Sequence, residues 1–278
     1  MRMLQTRVIT ALIAIPIVIA GVVAGGLWFL GGVAVVALIA GWEFGRMMQS
    51  GGYQTTPFFT LGLIIFLLIN SYRSDLSLEC ILSVTLLSSL TWQLFQTESA
   101  SPTADWALTV IGGLYIGWGL AHLVALRELA NGLAWVWLVL LCTWGADTFA
   151  YLVGSRWGQH KLWPRLSPKK SWEGFVGGIF GSLLGAAGVA ILFNMNWGTC
   201  LLIGLIIPIV DLFGDVSISM MKRNVGVKDS SNLFPGHGGF LDRIDSLLFV
   251  SVVVYYYAVW SGAFGSTVLE SLILGLGF

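Results

Sequence analysis

Between Ser219 and Asp245 the chain reads SMMKRNVGVKDSSNLFPGHGGFLDRID. Four cations (Lys222, Arg223, Lys228, Arg243), one histidine (His237) and three carboxylates (Asp229, Asp242, Asp245) fall within 27 positions. Just upstream, Asp211 and Asp215 sit inside an apolar run. A carboxylate there is costly and faces a bundle interior or a watery cavity. Acids gathered at one depth repel one another unless cations intervene. Hard divalent ions such as Mg²⁺ take oxygen ligands, typically one or two carboxylates plus substrate phosphates. Lysines and arginines opposite such acids neutralise phosphate oxygens. The combination predicts a metal and phosphate site at a membrane surface. A solvated loop whose charges only set topology would explain the cations, but it leaves the cluster from His237 to Asp245 unexplained.

Other polar residues join this stretch by their spacing. Asp147 and Tyr151 are i, i+4 and share a helix face, as do Asp211 and Asp215, while Asp242 and Asp245 are i, i+3. The segment GSRWGQHKLWPRLSPKKSWEG supplies Lys161, Ser167, Lys169, Lys170 and Ser171 as phosphate partners. Ser171 can also cap the helix that follows, whose dipole favours an anion. Arg156 and Arg165 read instead as anchors to anionic headgroups. Gly236, Gly238 and Gly239 flank His237 and suggest backbone held close to a ligand. Three roles stay open for His237: phosphate ligand, proton carrier and turn residue. Pro208 predicts a kink in its helix, and Gly214 lets backbone or ligand approach.

These residues are carried by a chain made for lipid. Of 278 residues 56% are hydrophobic and 10% charged, against about 25% charged in a soluble domain. An all-α polytopic membrane protein is expected, with about nine transmembrane helices. The apolar runs are Val8–Ala24, Leu27–Met48, Pro57–Ser71, Leu76–Phe95, Ala104–Leu126, Leu133–Val153, Trp172–Phe193, Trp197–Met221 and Ile244–Gly262. Ser266–Phe278 is too short to cross and is expected at the interface or tucked against the bundle. Arg2 and Arg7 before the first run resemble a signal peptide, but the Gly25-Gly26 turn leads straight into a second span and favours an uncleaved anchor. Cys80, Cys142 and Cys200 stand singly in apolar segments and imply no disulfide framework.

With the N-terminus in the cytoplasm, nine spans leave every Lys and Arg except Arg73 and Arg127 on the cytoplasmic side. The positive-inside rule therefore supports both the count and an outward C-terminus. One membrane domain is expected over residues 1–278, with N-terminal helices over 1–132 and catalytic helices and loops over 133–262.

At these residues the sequence resembles the phosphatidate cytidylyltransferase (CDP-diacylglycerol synthase) family. The family signature begins Ser-x-x-Lys-Arg, continues through Lys-Asp and His-Gly-Gly, and ends Asp-Arg-x-Asp. Here these are Ser219 with Lys222-Arg223, then Lys228-Asp229, His237-Gly238-Gly239 and Asp242-Arg243-Ile244-Asp245. SPKKSWEG (167–174) resembles a second motif, with Ser171 where the family usually has Thr. DTFAYLVG (147–154) and DLFGD (211–215) match as well. The resemblance runs from Asp147 to the end of the last span; the N-terminal half matches only in being hydrophobic.

The resemblance implies transfer of CMP from CTP to phosphatidic acid, giving CDP-diacylglycerol and pyrophosphate, with Mg²⁺ required and a second, monovalent cation left open. It implies that Asp215 and Asp242 hold the metal, with Asp211, Asp245 and Asp147 either supporting them from behind or serving as additional ligands, and it makes Lys161, Lys169, Lys170, Lys222, Arg223, Lys228 and Arg243 candidates for the phosphates. It places the enzyme in a bacterial inner membrane, facing the cytoplasm, with a homodimer by family precedent and no nucleic acid partner. Three rivals carry distinct signatures. A cytidylyltransferase for another lipid phosphate, such as an archaeal ether lipid, would separate by substrate competition. A cation transporter predicts midplane ion sites and internal repeats, and no repeat is found. An inactive scaffold predicts missing motif residues, and none is missing.

Overall fold

The computed structural model describes residues 15–73, 77–231 and 238–275. Among the described residues nine helices follow in order: α1 (Ile15–Ala24), α2 (Gly26–Ser50), α3 (Pro57–Arg73), α4 (Leu78–Leu94), α5 (Pro102–Glu128), α6 (Gly132–Trp157), α7 (Trp172–Phe193), α8 (Trp197–Asn224) and α9 (Leu241–Gly275). Six of them, α2 and α5 to α9, are long and apolar enough to cross a membrane. The other three are shorter and apolar, and they coincide with the first, third and fourth expected spans. The protein is a helical integral membrane protein.

The boundaries have local causes. Ser171 caps α7, its hydroxyl accepting from Gly174 N–H at 3.2 Å. Asn194 ends the same helix in the left-handed region, where asparagine is tolerated. Asn196 then caps α8 through Thr199 N–H at 3.0 Å. Pro208 lies within an uninterrupted α8. α9 continues past the expected span end at Gly262 and takes in Ser266 to Gly275. A helical glycine costs only about 1 kcal/mol, so Gly262 and Gly265 do not end it.

Between α6 and α7, where an irregular loop is expected, the chain forms an antiparallel hairpin of β1 (Lys161–Trp163) and β2 (Ser167–Ser171). Lys161 pairs with Ser171 and Trp163 with Ser167. The hairpin is seated by its own small apolar cluster, in which Leu162 and Leu166 meet Phe175 of α7 and Leu212 and Val216 of α8. The main core lies elsewhere, along the bundle, with Phe44, Leu63, Ile116, Leu138, Ile203 and Val254 among its members.

Close helix packing aims the polar residues. α6 and α7 meet at Gly145 and Gly181, and a Cβ on either would strike the other's carbonyl oxygen. Small residues of this kind bring membrane helices into backbone contact. At Gly214 the neighbour is backbone rather than ligand: a Cβ there would lie 2.7 Å from the Asp245 carbonyl oxygen. This approach sets α8 against α9 at the level of their aspartates.

Candidate active site

A cavity of about 510 Å³ opens where α6 ends, α7 begins and α8 nears its end. Asp147 and Tyr151 line it from α6, Asp211 and Asp215 from α8, and Lys161, Ser167, Lys169, Lys170 and Ser171 from the hairpin. Both i, i+4 pairs therefore face one space. Apolar residues share the lining, Ala146, Gly178, Pro208 and Leu212 among them. Asp215 is half-buried; its Oδ2 lies 2.6 Å from Lys170 Nζ, and its Oδ1 accepts from Ser219 Oγ at 3.2 Å. Asp211 is 7% exposed, and its Oδ1 has no hydrogen-bond partner among the described residues. A buried carboxylate oxygen facing a cavity without a donor calls for a ligand.

A second constellation sits at the start of α9. Lys222 Nζ meets Asp242 Oδ1 at 2.6 Å, with both side chains nearly buried. Asp242 Oδ2 accepts from Ser230 N–H and Oγ, both at 2.9 Å, and from Gly239 N–H at 3.0 Å. Asp242 thus ties α8, the segment before Ser231 and the Gly-Gly turn to α9. Asp245 is buried, its Oδ1 accepting from Ser246 N–H at 2.8 Å. Arg223 folds back to donate to the Val227 carbonyl at 3.1 Å. Exposed Lys228 and Asp229 line a separate cavity of about 690 Å³ with Glu43 and Arg46 of α2. Arg243 is exposed and lies within the electrostatic field of Asp147. Gly238 takes a positive φ of 73°, which only glycine adopts freely. His237 lies outside the described residues.

Four acids share one field. Asp147, Asp211, Asp215 and Asp245 each feel at least one of the others, and the balancing cations are Lys170, Lys222 and Arg243. Lys222 is already committed to Asp242. No three His, Cys, Asp or Glu among the described residues form a ready metal cage. A bare cage is not what Mg²⁺ needs, since it keeps waters and takes only one or two carboxylates beside substrate phosphates. Asp147, Asp211 and Asp215 line one cavity, and any one or two of them are the donor type such an ion takes. Asp242, expected to share the metal with Asp215, does not line this cavity and is held by Lys222 and three N–H or O–H donors.

The sequence reading passed over Glu43. This α2 residue is 1% exposed and accepts from Ser231 Oγ at 2.5 Å, Leu241 N–H at 2.8 Å and Ser230 Oγ at 3.4 Å. A lone acid within an apolar span was the available signal. Glu173 was also missed: it accepts from the backbone N–H groups of Gln159 and His160 and meets His160 Nδ1 at 2.6 Å. That contact fastens the entry of the hairpin to the first turn of α7.

A helical membrane bundle with an acid-lined, lysine-fringed cavity at one end defines a membrane enzyme of phosphate chemistry. Residues 5–261 match the cytidylyltransferase family. A phosphatidate cytidylyltransferase of Synechocystis sp. is 32% identical, the alignment covering 91% of this chain and 96% of the relative. Proteins of the same name from Staphylococcus haemolyticus and Staphylococcus aureus are 34% and 33% identical, each covering 89% of this chain and 96% of the relative. The chain belongs to the cytidylyltransferase family and is a nucleotidyltransferase.

Proposed function

We propose that this enzyme transfers CMP from CTP to phosphatidic acid, releasing pyrophosphate and leaving CDP-diacylglycerol in the membrane. The observation that carries this reading is the cavity that joins Asp147, Asp211 and the Lys170–Asp215 pair to an apolar interior. Such a space suits a charged nucleotide at its mouth and a lipid headgroup beside it. The names and full-length coverage of the relatives supply the substrate pair.

In this reaction a phosphate oxygen of the lipid attacks the α-phosphorus of CTP. The new P–O bond forms as the bond to the bridging oxygen of the pyrophosphate breaks. The attacking oxygen is already anionic near neutral pH, so no strong base is required. Neutralisation and in-line alignment remain the protein's work. Lys161, Lys169 and Lys170 neutralise phosphate oxygens at the cavity, with Ser167 and Ser171 as hydrogen-bond partners. Lys222, Arg223, Lys228 and Arg243 border the loop side, where Ser219, Gly238 and Gly239 shape the backbone, and His237 completes that motif. Asp147, Asp211 and Asp215 would hold Mg²⁺, with Asp245 behind them and Asp242 drawn in if Lys222 turns to a phosphate. Bound there, the ion would withdraw charge from the α-phosphate and the leaving pyrophosphate. Four acids exceed what one Mg²⁺ uses, which leaves room for a monovalent cation.

Nine spans, a cytoplasmic N-terminus and an outward C-terminus follow from the Lys/Arg partition. They put the cavity on the cytoplasmic face of a bacterial inner membrane, where CTP is available. A homodimer is the expected assembly. The deciding experiment combines purified protein in detergent with phosphatidic acid, α-labelled CTP and Mg²⁺, omitting each in turn. Label moving to the lipid phase with pyrophosphate release, only when all three are present, is the expected result. No transfer to phosphatidic acid or to an ether-lipid phosphate from folded protein would sink the proposal; transfer to the ether lipid alone would reassign the substrate.

A further inference from the structure

We infer that Glu43, in the N-terminal half, is a positioning residue for the phosphate site of the C-terminal half. The inference deepens the cytidylyltransferase reading above and rests on it for its kinetic arm.

Glu43 lies near the end of α2, almost wholly removed from solvent. A carboxylate so placed is expensive unless it is fully hydrogen-bonded. Among the described residues its three donors all come from positions more than 180 away: Ser230 Oγ, Ser231 Oγ and Leu241 N–H. None of them belongs to α2. The carboxylate therefore joins Ser230 and Ser231, which follow α8, to Leu241 at the start of α9. It also bounds the backbone at Gly239, because a Cβ there would lie 2.5 and 2.6 Å from the two Glu43 oxygens.

The same junction is also held by Asp242. Ser230 Oγ stands between the two acids, 2.9 Å from Asp242 Oδ2 and 3.4 Å from Glu43 Oε2. Gly239 N–H, beside Glu43, donates to Asp242 Oδ2 at 3.0 Å. Asp242 in turn holds Lys222 at 2.6 Å. A continuous chain of contacts thus runs from Glu43 through Ser230 and Gly239 to Asp242 and Lys222. Among the described residues Glu43 hydrogen-bonds to none that line the Asp147–Asp211–Asp215 cavity, so its effect on chemistry passes through the residues it joins. Leu241 N–H is one of the first amides of α9, which have no acceptor within their own helix. Glu43 supplies that acceptor and so fixes where α9, with Asp242, Arg243 and Asp245, begins.

The test compares Glu43→Ala, Glu43→Gln and Ser231→Ala with the parent protein. Measurements are kcat, KM for CTP, and amide hydrogen exchange over residues 228–245. Loss of an orienting partner typically costs about 10- to 100-fold. Glu43→Ala is expected to lose that much in kcat, with KM for CTP changed less than about threefold and exchange accelerated in 228–245. Glu43→Gln keeps an acceptor oxygen and should recover most of both. Ser231→Ala, which leaves the buried acid in place, should fall between, and it carries the test if Glu43→Ala does not fold. Parent-like kcat and parent-like exchange in Glu43→Ala would overturn the inference, as would a glutamine variant as impaired as alanine or a Ser231→Ala protein identical to the parent. If the parent protein transfers no label, the proposed reaction fails, while the exchange arm still reads the clamp.

Discussion

Asp211 and Asp215 differ although they are one turn apart. Asp215 has Lys170 and Ser219 as partners, whereas Asp211 keeps a buried oxygen without a donor. Asp211→Asn would place an amide where a cation is wanted; Mg²⁺-dependent label transfer should fall by about 100-fold, within the range for loss of one stabilising group. Asp215→Asn should be at least as severe, and a folded variant with full activity would remove the metal assignment. Lys222→Ala acts on stability as well. It leaves Asp242 without its countercharge, and breaking a buried pair costs about 3–5 kcal/mol. A clear fall in the thermal midpoint, read by tryptophan fluorescence in detergent, is the expected outcome.

The hairpin and α7 form the element that brings lysines to the acids. Leu166 is buried in the small cluster against Leu212 and Val216, next to Asp211 and Asp215 in sequence. Leu166→Ala should loosen this seat, raising KM for CTP while sparing the bundle; circular dichroism and gel filtration would show unchanged helix content. The sequence made α7 legible to the residue, because Ser171 and Asn194 are local start and stop signals at the ends of an apolar run. It also revealed the shared faces of Asp147/Tyr151 and Asp211/Asp215, because helical periodicity needs no partner to be read. The hairpin was hidden. Its strands are short and carry Pro and Lys, and what holds them is tertiary: the leucine cluster, the Lys170–Asp215 pair and Glu173. Glu43 was hidden for a similar reason, since its donors lie across the chain and nothing near position 43 announces them.

At the scale of the molecule, the functional side chains gather at one end of the bundle, where α2, α6 and α8 finish and α7 and α9 begin. Alternating antiparallel spans would deliver those termini to one face, the cytoplasmic one in the proposed topology. A cysteine-free background with Arg165→Cys should react with an impermeant maleimide only from the cytoplasmic side, and Glu128→Cys only from the opposite side. The reverse pattern would invert the topology. The join between α2 and the segment before α9 also ties the two halves of the chain. Separate expression of 1–132 should therefore leave the remainder unable to organise its phosphate motif.

The lysine at Asp215 has a thermodynamic corollary. Lys170, 2.6 Å from Asp215, acts as the aspartate's own counterion, so the cavity is partly self-neutralised. An incoming phosphate that draws Lys170 away strips Asp215 of that partner and raises its appetite for a divalent ion. Ion uptake likewise frees the lysine for phosphate. The two affinities must then rise together, by the same factor in either direction. Equilibrium titration of Mg²⁺ with and without pyrophosphate, repeated on Lys170→Gln, should show that mutual reinforcement in the parent and its weakening in the variant.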